Sequence, residues 1–192
     1  MLKRLVLVAA LCVAPALVRA QEGGLSIKAG LSYDHVSNSG ALPGSVTQRS
    51  GIAFGVSAVS SGTIGLGIDV LYAQRGVTSS VATAARHLDY LDVPVYVRVA
   101  LPMASMMPFA YAGPQASFEL KCGAGSLNCP DTGRPKAAFA GVIGGGLRFG
   151  ARRGVSVEGR YVYGLTDLKL STVSTTTSYQ TRSFLLLAGI GF

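Results

Sequence analysis

Apolar residues return at every second position in eight stretches of this chain, which is the periodicity of strands with one apolar face. In the first stretch, Leu25, Ile27, Ala29, Leu31 and Tyr33 alternate with Ser26, Lys28, Gly30 and Ser32. The second sets Ile52, Phe54 and Val56 against Ala53, Gly55 and Ser57, and the third sets Ile64, Leu66, Ile68, Val70 and Tyr72 against Gly65, Gly67, Asp69 and Leu71. In the fourth, Leu91, Val93, Val95, Val97 and Val99 oppose Asp92, Pro94, Tyr96 and Arg98. The fifth runs from Ala110 to Leu120 with Tyr111, Gln115 and Glu119 on its polar face, and the sixth from Ala138 to Phe149 with Arg148 on its polar face. The seventh opposes Val155, Val157, Tyr161 and Tyr163 to Ser156, Glu158 and Arg160, and the last opposes Phe184, Leu186, Ala188, Ile190 and Phe192 to Ser183, Gly189 and Gly191.

The connections between these stretches alternate in length. Long polar segments at 34–50, 75–87, 121–136 and 166–182 take turns with short ones at 60–62, 102–107 and 150–154. Outer-membrane barrels sort their connections in this way, with short periplasmic turns and long extracellular loops. The faces also differ in the sense that lipid demands. None of the eight apolar faces carries a charge, whereas Lys28, Arg98, Arg148 and Arg160 and also Asp69, Asp92, Glu119 and Glu158 all fall on the opposite face. A water-soluble barrel of the lipocalin type would be patterned inversely, with the apolar face lining a cavity. The expected fold is therefore all-β, an eight-stranded antiparallel up-and-down transmembrane β-barrel, in which the eight charges form a lumen network.

The N-terminus supplies the cellular address. Lys3 and Arg4 precede an apolar run from Leu5 to Leu17, and Val18 and Ala20 place small side chains before Gln21. That layout is a secretory signal peptide, and the run is short of the roughly 20 apolar residues of a spanning helix. Residues 1–20 are expected to leave, and residues 21–192 to form the barrel. Of 192 residues, 17 are basic and 9 acidic; cleavage would remove Lys3, Arg4 and Arg19 and leave a net charge of +5. The 25 glycines and 14% charged residues argue against a helix bundle or a disordered chain. No stretch of 18 apolar residues follows residue 24, so a helical membrane protein is excluded. Cys12 would depart with the leader. Cys122 and Cys129 remain, seven apart in the polar stretch KCGAGSLNC, and in an oxidising compartment they are read as a disulfide.

The segments IDVLYAQRGV (68–77), LDYLDVPVYVRVAL (88–101), YAGPQASFEL (111–120), GGGLRFG (144–150), VEGRYVYGLTDL (157–168) and the terminal LLLAGIGF resemble the PorT-type outer-membrane β-barrel family. The resemblance covers nearly the whole chain after the leader. It implies a small barrel of the OmpA/OmpX-like kind in a Gram-negative outer membrane, and it transfers no catalytic residue.

Candidate chemistry is sparse. The glycines of GVIGGGLRFG look like a nucleotide fingerprint, but that motif needs a helix directly after them, and RFGARRG leads into another strand. Glycine in a narrow barrel leaves room for arginines and tyrosines of facing strands. No cofactor or metal is expected. His35 and His87 sit at loop rims beside Asp34 and Asp89 without a nucleophile motif; a lipid hydrolase is the enzyme alternative they leave open, and a small diffusion channel is the transport alternative. Our expectation is a non-enzymatic protein with a structural or surface-recognition role carried by its loops. The loops and rims hold Arg49, Arg75, Arg86, Lys121, Arg134, Lys136, Lys169 and Arg182 against Asp34, Asp89, Asp131 and Asp167. That basic excess suits the phosphates of lipopolysaccharide. Scattered among Ser, Thr and Gly, it does not suit nucleic acid. Phe192, closing an apolar alternation, resembles the C-terminal signal read by the barrel-assembly machinery, and the barrel is expected to be a monomer.

Protein purified from its native membrane without reductant should show no free thiol at Cys122 or Cys129. The ring they close is worth about 2.5 kcal/mol by loop-closure entropy, and a thiol titration finding both free would overturn the pairing.

Overall fold

The computed structural model describes residues 24–38, 46–79, 86–124, 127–128, 136–150, 154–165, 168–172 and 175–192. Residues 1–20, Cys129 and the side chains of Cys122, His35 and His87 lie outside this set, and so do the leader and disulfide expectations that rest on them. The elements are β1 (Gly24–Asn38), β2 (Val46–Val59), β3 (Ile64–Ser79), β4 (Arg86–Ala100), β5 (Met106–Ala124), β6 (Leu127–Asn128), β7 (Ala137–Phe149), β8 (Val155–Gly164), β9 (Leu168–Thr172) and β10 (Thr175–Gly191).

Eight of them form one antiparallel sheet in the order β1-β2-β3-β4-β5-β7-β8-β10, and β10 pairs back onto β1 to close it. The closing ladder runs from Ser26 opposite Gly191 to Asn38 opposite Tyr179. The last residue joins in, since the Phe192 amide donates to the Leu25 carbonyl at 2.9 Å. Closure removes both sheet edges, which is the only way strands can satisfy their backbone groups in lipid. The short strands β6 and β9 pair with β5 and β10 beyond the closed ladder.

The strands outrun the apolar alternation that predicts them. Segments read from sequence as loops contribute Asp34–Asn38 to β1, Arg75–Ser79 to β3, Lys121–Ala124 to β5 and Thr175–Arg182 to β10. Backbone pairing continues after the side chains turn polar, because a ladder needs amides and not apolar faces. The alternation of connections stands: short turns at 60–63 and 101–105 lie at the end that holds Gly24 and Phe192, and the longer connections lie at the other. Gly62, with φ of 103°, takes the left-handed conformation one short turn requires.

Side-chain parity is as the pattern dictates. Leu25, Ile27, Ile52, Phe54, Leu66, Val95, Val97, Ile143, Val157, Leu186 and Ile190 are all exposed on the outer wall. Aromatic rings gather on that wall toward the loop-bearing end: Tyr33 lies opposite Phe184, which lies opposite Tyr161, and Phe54 lies opposite Tyr72 with ring centroids 5.0 Å apart. Girdles of this kind mark the interface of an outer-membrane barrel. The inner face is close-packed. Tyr96 lies across from Gly67 and Tyr111 from Gly144, and a Cβ on either glycine would sit 2.2 or 2.4 Å from the facing ring. These glycines are the floor on which the two tyrosines lie flat against the wall.

Replacing Leu186 or Val95 by Arg is expected to lower folding stability by about 2–4 kcal/mol, read by denaturant titration in lipid vesicles. Arg at the exposed turn residue Thr63 should be tolerated, and equal penalties at wall and turn would contradict the assignment of the outer face.

Candidate functional site

The lumen is stacked in tiers that follow from register. Starting at the turn-bearing end, Arg98 on β4 and Arg148 on β7 face inward, and the Arg98 guanidinium lies 4.4 Å from the centroid of the Phe109 ring. Above them the rings of Tyr96 and Tyr111 meet at a tilt of 34° with centroids 4.5 Å apart. The next tier is charged. Lys28 on β1 reaches Asp69 on β3 at 3.4 Å and Glu158 on β8 at 2.9 Å. Arg160, two residues after Glu158 and therefore on the same face, pairs with it at 2.9 Å and also pairs with Asp69.

The tyrosines tie the two tiers together. The Tyr96 hydroxyl donates to Asp69 at 2.8 Å, the Tyr111 hydroxyl donates to Glu158 at 3.1 Å, and Arg160 Nε donates to the Tyr111 oxygen at 2.8 Å. Two cations and two carboxylates thus share one neutral, hydrogen-bonded centre. Its members are almost wholly enclosed, with Asp69 at 0% and Arg160 at 1% exposure. Such enclosure is tolerable because each charge meets an opposite one; removing a single partner from a buried set of this kind costs about 3–5 kcal/mol.

Toward the loops the lumen becomes mostly apolar, with the buried Ser32 and Gln115 set in register beside Leu185 and Ala140. Leu71, Leu185, Leu187, Val142, Val162, Ala53, Ala73 and Ala140 pack into one buried cluster above the charged centre. A second polar tier caps it. Arg75 pairs with Asp92 at 2.5 Å and lies 5.1 Å from the Tyr90 ring centroid, and the Ser183 hydroxyl donates to the buried Asp34 at 2.5 Å.

Of the eight charges expected to form one lumen network, the structure brings together Lys28, Asp69, Glu158 and Arg160. Asp92 belongs to the upper tier, Arg98 and Arg148 line the mouth at the turn-bearing end, and Glu119 lies near the opposite rim, in register with Tyr90. The eight therefore fall into separate groups, with Asp92 at the level of the apolar cluster, in register with Leu71. Arg75 and Asp34, assigned above to the extracellular rim, are corrected to the lumen. Each stands six residues beyond a central charge of the same parity, Asp69 and Lys28, so period two carried past the apolar stretch would have found both. Glycines make room for tyrosines of facing strands as expected, Gly67 for Tyr96 and Gly144 for Tyr111, whereas the hydrogen bonds of these hydroxyls to the charged centre are not legible in the sequence.

His35 lies opposite Arg182, and His87 lies opposite Gly76 and Gly123, on strands with β2 and β3 between them. Among the described residues no group of three His, Cys, Asp or Glu is placed to hold a metal ion.

The sequence matches the outer membrane protein beta-barrel domain over residues 5–192. No curated protein matches it significantly. Among solved structures, outer membrane protein OprG of Pseudomonas aeruginosa aligns with a TM-score of 0.53 at 12% identity, covering 88% of this chain and 96% of that one. Neisserial surface protein A gives 0.53 at 10% identity over 88% and 97%. The attachment invasion locus protein of Yersinia pestis gives 0.51 at 16% identity over 90% and 100%. At these identities the likeness is one of fold.

Replacing Arg160 by Met should destabilise the barrel by about 3–5 kcal/mol by leaving Asp69 and Glu158 with Lys28 alone. Adding Asp69→Asn should restore part of that loss, and urea titrations of the two single variants and the double would measure the coupling. Strict additivity would show that the central pairs do not act as a unit.

Proposed function

Because the chain belongs to the outer membrane protein β-barrel family, we propose that it is a non-catalytic, non-conducting barrel of the bacterial outer membrane that works by recognition at its loop-bearing end. The observation that carries this reading is the filled lumen. Arg160, Asp69, Glu158 and Lys28 with Tyr96 and Tyr111 occupy the cross-section, and the Leu71, Leu185 and Leu187 layer closes it again above. An eight-stranded barrel is just wide enough for side chains to fill, so transport along the axis is the weaker reading. What supports recognition is the opposite end, where paired strands extend beyond the apolar belt and carry the longer connections. Function concentrates on loops held by a rigid scaffold. A neighbour of the same fold is named for attachment and invasion.

Moving Arg75 and Asp34 into the lumen takes one charge of each sign from the rim, and with Glu119 near it the rim still keeps a basic excess. Lipopolysaccharide phosphates remain the partner chemistry that excess fits. We also place the chain with the PorT-type barrels on the motif order given above, read its first 20 residues as a cleaved leader, and regard it as a monomer delivered by the barrel-assembly machinery through Phe192.

Purified protein in planar bilayers should give no stable conductance step. Shortening the connections 39–45 and 80–85 should abolish adhesion of cells that display the protein while the barrel still folds, and His35→Ala and His87→Ala should change neither property. Acyl release from lipopolysaccharide, lost on either histidine change, would replace recognition by hydrolysis.

A further inference from the structure

An arginine stands on the outer wall at the upper edge of the aromatic girdle. Ser183 is buried in the lumen and Phe184 is exposed on the wall, so period two turns Arg182 outward, onto the face that meets lipid. Its cross-strand partner on β8 is Tyr163, exposed on the same face, and the Arg182 guanidinium lies 5.4 Å from the centroid of that ring. The row next toward the mid-bilayer is the girdle of Tyr33, Phe184 and Tyr161. At about 3.3 Å per residue and a tilt near 40°, two residues beyond Phe184 raise Arg182 by about 5 Å, into the headgroup layer at the loop-bearing end.

The guanidinium is held there but not neutralised. Among the described residues no carboxylate lies within ion-pair distance of Arg182. Its Nε is enclosed without a hydrogen-bond partner, and the ring beside it steadies the fork by a cation–π contact that leaves the charge intact. Arginine on a lipid-facing wall is costly at the midplane and nearly free at the interface, where the groups that meet it are phosphates. A guanidinium fork matches the paired oxygens of a phosphate. The wall beside it is open to a ligand, since Gly141 stands in register with Tyr163 and a Cβ there would meet nothing within 4 Å.

We infer that Arg182, steadied by the Tyr163 ring, is a binding site on the outer wall for a lipid-borne phosphate, that of the lipid A anchor of lipopolysaccharide. The inference deepens the proposed fit to lipopolysaccharide phosphates and rests on it; it moves the contact from the loops to the strand wall, in the plane of the membrane. A free phosphate is the poorer occupant, because one guanidinium on an open wall gives it no enclosure. A lipid brings its phosphate to that height and lays its acyl chains along the exposed Phe184 and Leu186 below.

Lipid A titrated into the folded protein in phosphatidylcholine nanodiscs should bind saturably, and lipid A stripped of its phosphates should bind at least tenfold more weakly. Arg182→Gln should weaken binding of intact lipid A at least fivefold, and Arg182→Lys, which keeps the charge and loses the fork, at least twofold. Arg98→Gln removes the same charge from the lumen at the turn-bearing end and should leave binding unchanged. Heat-dependent gel mobility confirms that each barrel is folded; if Arg182→Gln does not fold, Arg182→Lys decides. Equal binding by wild type and the folded Arg182 variant, or an equal loss in Arg98→Gln, would overturn the site. A loss in Lys121→Gln as large as in Arg182→Gln would overturn it too, while leaving the wider fit of the basic rim to lipopolysaccharide. No saturable binding by the wild type would sink both. Phosphatidylglycerol competing as well as lipid A would assign the site to phospholipid headgroups and overturn the lipid A source.

Discussion

A strand in lipid has no water to satisfy its amides, and every other feature of this protein follows from that single requirement. The ladder between β1 and β10 satisfies it by leaving no edge. Once the sheet is closed, alternate residues of each strand meet two unrelated solvents. Positions such as Leu186 and Val95 answer to hydrocarbon, while Leu185, Tyr96 and Asp69 answer to a lumen so narrow that opposite walls touch. No residue answers to both.

The charged centre is instructive against this background. Replacing a buried ion set by apolar residues of similar volume is often neutral or stabilising, so stability alone does not explain why Lys28, Asp69, Glu158 and Arg160 stand where leucines could. Sidedness offers a better account. A slip of one residue exchanges the two faces of a strand. With an apolar lumen that exchange would put leucine where leucine had been. With charges inside, the slipped strand would present a guanidinium or carboxylate to hydrocarbon, at up to about 2–4 kcal/mol for each arginine or lysine near the midplane. The centre therefore penalises every slip of β1, β3 or β8 by an odd number of residues.

Much of this was legible in the sequence because period two is a local signal. The outer face, the alternation of connections and the luminal place of Lys28, Asp69, Glu158 and Arg160 all follow from counting in twos. Arg75, Asp34 and the outer thirds of β1, β5 and β10 were missed because apolarity, the marker used for the strands, ends at the lipid boundary while hydrogen bonding does not. The division of the eight charges was hidden for another reason. Parity says that a side chain points inward but not at what height, and height depends on the stagger between strands, which only the pairing partners fix. The same holds for Tyr96 and Tyr111, whose rings lie on Gly67 and Gly144 through cross-strand register.

The length of the ladder has a mechanical corollary. A strand needs about 9–11 residues to cross a bilayer, and β5 has 19 and β10 has 17. At about 3.3 Å per residue and a tilt near 40°, the longest strand rises on the order of 20 Å beyond an apolar band about 25 Å tall. The loop-bearing end of this protein is thus raised on a collar of paired strands above the lipid headgroups, into the carbohydrate layer or past it. A partner approaching the cell would meet a fixed platform standing proud of the membrane, and its distance from the lipid is set by how far β5 and β10 stay paired.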